Sequence, residues 1–98
     1  MTPREQAEIT SRMQHALMTF QGAQVAYLGA HRKLKNQPQA EVDAFWDGPG
    51  LRLEAGLRTS AKELMAAFTA FSAAGLVASA SDRHLVTEAR RTLQQDPI

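Results

Sequence analysis

The sequence predicts an all-α fold: a small hairpin or bundle of two long helices, with a short tryptophan-bearing helix at the turn and a C-terminal helix. Three observations predict it. Composition is rich in good helix formers, with seventeen alanines and many Glu, Gln, Arg, Lys, Leu and Met. Apolar residues recur at spacings of three and four, and no segment sustains the alternation at period two that a half-buried strand requires. Breaks fall at Asn36–Gln39, Asp47–Gly50 and Gly75, cutting the chain into helical lengths. At 98 residues the chain holds one domain, 1–98.

The first helix is expected over about residues 3 to 35. Thr2 offers a hydroxyl N-cap, Pro3 a preorganised first position and Glu5 the third residue of a capping box. Its apolar stripe reads Ile9, Met13, Leu17, Phe20, Tyr27 and Leu34, with Ala16, Ala23 and Ala30 beside them. Arg32, Lys33 and Lys35 gather where the helix dipole is negative. Asn36-Gln37-Pro38-Gln39 breaks the chain and restarts it, with Asn36 as a candidate cap and Gln39 as its answer. A short helix at about 38 to 46 carries Val42, Phe45 and Trp46 on one side and ends at Asp47-Gly48-Pro49-Gly50. The third helix begins near Leu51 with a stripe of Leu53, Leu57, Ala61, Leu64, Phe68 and Phe71; Ser60 and Glu63 could cap a fresh start within it. Gly75 is the expected left-handed C-cap, with Leu76 making the apolar contact that follows. The last helix starts at Ser79 or Ser81, carries Leu85, Val86, Ala89 and Leu93, and ends at Asp96-Pro97.

Two stretches lack charge where a solvated helix would carry it. Leu64–Ser81 has none in eighteen residues, and Met13–His31 none in nineteen, in a chain that is 21% charged. The first does not fit a membrane span: it is slightly short, is interrupted by Gly75, holds few bulky apolar residues and is otherwise Ala, Ser, Thr and Gly. On a helical wheel both long helices are apolar on two sides. The second side of the first helix holds Met18, Gly22, Val25, Ala26 and Gly29; that of the third turns from Arg52, Arg58, Lys62 and Glu63 to Ala66, Ala70, Ala73 and Ala74. Mid-helix glycines cost about 1 kcal/mol each against alanine, and close approach of another helix is the simplest compensation. These faces are expected to lie flush against neighbouring backbone, either under the short helix and the last helix or against another chain.

Composition also excludes. No cysteine is present, so disulfides, thiolate nucleophiles and thiolate metal sites are ruled out. A net charge of +1 argues against a nucleic-acid partner. The polar start MTPREQAEIT does not read as a signal peptide, and a bacterial or phage cytoplasmic protein fits. His15, His31 and His84 are not spaced as metal ligands; His31 lies in the main stripe and is expected half-buried. No nucleophile–base pair and no Gly-rich phosphate loop is legible. The expectation is a protein without enzymatic activity, catalytic residue, cofactor, metal, small-molecule substrate or membrane partner. Its partner would be another protein or a second copy of itself, as an adaptor, antagonist or chaperone-like accessory. The expected contact residues are Phe45, Trp46, Met18, Gly22, Val25, Ala66, Ala70 and Ala73, with Phe45 and Trp46 also able to serve as an aromatic plug.

Two alternatives rest on resemblance. Trp46-Asp47-Gly48, near the middle of the chain, resembles the Trp-x-Gly turn of the WXG100 family of small secreted helical-hairpin proteins, which would imply export as one of a pair. The chain departs from that pattern at Pro38 before the tryptophan and Pro49 after the glycine, and only His84 to Glu88 approximates the Tyr-x-x-x-Asp/Glu export tail. Gly75-Leu76-Val77 followed by Asp82-Arg83 resembles the end of a winged-helix DNA-binding regulator, though no helix-turn-helix spacing precedes it.

Overall fold

A computed structural model describes residues 1–95 of the chain. Four helices follow one another: α1 (Pro3–Leu34), α2 (Gln39–Trp46), α3 (Pro49–Ala73) and α4 (Ala80–Gln94). Among the described residues there is no strand. Helices α1 and α3 pack antiparallel along most of their length, and α4 folds back onto both at the end away from α2. The result is a rod, 56 × 21 × 19 Å, whose radius of gyration of 16.1 Å exceeds the roughly 13 Å of a compact domain this size.

The expected stripes meet in the core. Met13, Ala16, Leu17 and Phe20 of α1 face Leu57, Ala61, Leu64 and Ala67 of α3, and Val86 and Ala89 of α4 close the third side. Tyr27, Phe68, Phe71, Leu85 and Leu93 pack partly buried around them. The charge-free run from Leu64 therefore has ordinary tasks along its length. Leu64 and Ala67 are core, and Gly75 turns the chain at φ +78°. At that turn the Gly75 N–H donates to the Ser72 carbonyl and the Leu76 N–H to that of Phe71, a complete Schellman motif. Among the described residues no helix is long and apolar enough to cross a membrane.

Capping matches expectation at two starts and differs at two others. The Glu5 N–H donates to the Thr2 hydroxyl at 3.1 Å, and the Asp82 N–H to the Ser79 hydroxyl at 3.1 Å. Asn36 does not cap α2: its N-cap is Pro38, without a side-chain bond, and Gln39 instead donates to the Asp43 carboxylate at 2.8 Å. Helix α3 starts at Pro49, two residues before the expected Leu51, because the proline's fixed φ suits a first helical position. Ser60 starts no new helix. It is buried, and its hydroxyl donates to the Leu57 carbonyl at 2.9 Å while the helix runs on. The expected stop at Asp96-Pro97 lies outside the described residues.

Candidate functional site

The outer face of α1 carries the largest cluster of exposed apolar side chains. Met18 is 73% exposed and Val25 66%, on the side of the helix away from buried Met13, Leu17 and Phe20, whereas Leu28, 51% exposed, follows Leu17 by eleven residues and continues that other stripe. Gly22 is exposed and Gly29 half-buried. Met18, Gly22, Val25 and Gly29 stand at i, i+4, i+7 and i+11, so they form one stripe in the order large, small, large, small. A Cβ placed on Gly22 or Gly29 would meet nothing within 4 Å. The fold itself has no need of glycine at either position.

Toward α2 this face runs into a groove of about 570 Å³. Val25, Ala26, Gly29, Ala30, Lys33 and Leu34 form one wall, with Phe45 and Leu53 opposite; Lys33 is the one charged side chain in the lining. The groove lies beside the short α2, whose backbone packs on α3 and which meets α1 through Trp46 at Tyr27 and His31. Phe45 thus contributes to the same surface as Val25.

Trp46 does not. Its ring lies 4.4 Å from that of His31, 5.4 Å from Tyr27 and 5.1 Å from Phe45, centroid to centroid. Gly50 is buried beneath it, and a Cβ there would collide with the indole ring. Trp46 is the plug that seals the α1–α3 hairpin, half-buried against its own chain. His31 takes part in this cluster yet remains exposed, not half-buried as its place in the stripe suggested, because only the Tyr27 and Trp46 rings stand against it. Burial raises the Tyr27 hydroxyl above its usual pKa, and the nearby Glu54 carboxylate adds to the rise.

Ala66 and Ala73 are exposed and Ala70 is half-buried, on the side of α3 turned away from its core stripe. The structure does not bring them together with Met18 and Val25. Of the two alternatives for the second faces, cover by α2 and α4 does not hold for Met18, Gly22, Val25, Ala66 and Ala73, which are exposed. Helix α2 is too short to reach them, and α4 spends its apolar side on the shared core.

Sequence reasoning missed the role of Arg58, which it named only among the charges on the second side of the third helix. The half-buried guanidinium donates to the carbonyls of Thr92 at 3.2 Å and Gln95 at 2.9 Å, capping the C-terminus of α4. Its partners lie 34 and 37 residues away, beyond any local signal. Among the described residues no three His, Asp or Glu side chains gather as a metal site. His84 lies 3.9 Å from Glu88 on the surface of α4. No protein-family model, curated protein or solved structure matches this chain, so the WXG100 and winged-helix resemblances gain no support.

Proposed function

We propose that this chain is a non-enzymatic protein-interaction protein of the cytoplasm, an adaptor, antagonist or chaperone-like accessory that binds through the outer face of α1. One observation carries the reading. Met18 and Val25 stand in water beside two glycines that the fold does not require, in a stretch with no charge. Burying one such side chain is worth about 1.5–3 kcal/mol, so a partner covering both gains appreciable binding energy. Bare helix backbone at Gly22 and Gly29 lets that partner approach closely. Phe45 extends the surface across the groove, and the Ala66–Ala73 face of α3 is a second, weaker candidate.

The test is a double variant, Met18→Glu with Val25→Glu. Both side chains point into solvent, so helix content by circular dichroism is expected to stay the same. The unaltered protein is expected either to exceed its 10.7 kDa monomer mass by light scattering or to retain a protein partner, and the variant to lose whichever is seen. A variant that keeps its mass and its partner would contradict the reading.

A further inference from the structure

We infer that the occupant of this face is a second copy of the chain, laid antiparallel so that Met18 of each copy sits over Gly29 of the other and enters its groove. This rests on the function just proposed and adds the partner and the register.

The stripe is complementary to its own reverse. Place a two-fold axis between residues 23 and 24 of α1. Met18 then faces Gly29, and Gly22 faces Val25, each large side chain meeting a position with open space at its Cβ. Alternation of large and small across facing positions is how two helices interdigitate without voids. A parallel, in-register pair would instead set Met18 on Met18 and leave glycine opposite glycine. Beyond Gly29, the methionine enters the wall of Leu34, Phe45 and Leu53. Its flexible thioether suits an irregular apolar space.

Charge agrees. No Asp, Glu, Lys or Arg occurs between Met13 and His31. In this register Arg32 of one copy comes beside Gln14 and His15 of the other and meets no lysine or arginine there. The chain exposes 6861 Å², against roughly 5,500 Å² for a compact monomer of its mass. That excess is spread over the whole rod, of which a stable interface covers approximately 800 Å² on each partner.

The chain has no cysteine, so introduced thiols report the register directly. Two single variants, Met18→Cys and Gly29→Cys, are oxidised separately and as an equimolar mixture. In the antiparallel pair a residue 18 lies eleven positions, about 16 Å, from its own counterpart along the axis, beyond the ~7 Å that a disulfide spans. The expected result is a cross-linked dimer in the mixture, joining one chain of each kind, and none from either variant alone. Light scattering of the unaltered protein should rise toward twice 10.7 kDa with concentration. Cross-linking of each variant with itself would overturn the antiparallel register. A monomer at all concentrations that still loses a bound protein in the Met18→Glu, Val25→Glu variant would overturn self-pairing and leave the proposed function standing. A monomer whose partner survives that variant would overturn both.

Discussion

The two ends of this rod are built differently. At one end, Met13 to Phe20 of α1 and Leu57 to Ala67 of α3 are closed by Val86 and Ala89 of α4, three helices around a dry core. At the other, α1 from Ala23 onward and α3 before Leu57 have only the short α2 beside them. Phe20 and Leu64 are completely buried, whereas Val25, one turn past Phe20, is mostly in water. The same two helices thus serve as a scaffold where a third covers them and offer a surface where none does. Arg58 caps the end of α4 at Thr92 and Gln95, and that end marks the boundary between the two ends of the rod.

Substitutions should separate the ends. Phe20→Ala is expected to cost about 3–5 kcal/mol in urea unfolding, while Val25→Ala in dilute solution costs almost nothing; similar costs would erase the distinction. Gly50→Ala drives a methyl group into the Trp46 ring and is expected to cost about 1–3 kcal/mol. Its intrinsic tryptophan fluorescence should shift to the red as the indole leaves its seat, and an unshifted spectrum would mean that the plug is not held by Gly50. Arg58→Ala leaves two carbonyls of α4 without their cap, at a cost of about 1 kcal/mol for a half-exposed group. Faster amide exchange in the last turn of α4, with the α1–α3 core unchanged, would place the boundary where the hydrogen bonds do.

The smallest effect concerns Tyr27. Its pKa is raised in the folded chain, so folding favours the neutral phenol. That contribution is fully present below about pH 10 and is lost as pH rises through the higher folded value. Stability of the unaltered chain should therefore fall above pH 10 more than that of Tyr27→Phe, followed by urea midpoint; parallel pH profiles would remove the effect from Tyr27.

Much of the scaffold was legible in the residues. Helical spacing located the core stripes because a buried face must repeat every three to four residues, and Gly75 and Thr2 marked ends through chemistry confined to one turn. Short-range reasoning failed where the deciding contact was distant or the signal shared. Ser60-Glu63 looks like a cap, yet Leu57 and Leu64 on either side bury the turn and the helix continues. Trp46 fitted an anchor as well as a plug until Gly50 and Tyr27 were placed against it. The second apolar face of α1 was visible as a run without charge. Its lack of cover by α2 and α4 follows from how far each helix reaches, which periodicity does not specify.

The glycines of that face provide the sharpest measurement. Replacing both Gly22 and Gly29 with alanine, and following urea unfolding at low and high protein concentration, separates the helix from its contact. Both positions have open space in the single chain, so the dilute variant should be more stable by about 1–2 kcal/mol. The unaltered protein should gain stability with concentration as copies associate, and the variant should lose most of that gain because its methyl groups hold the helices apart. A variant that is no more stable when dilute, or that keeps the full dependence on concentration, would contradict the account.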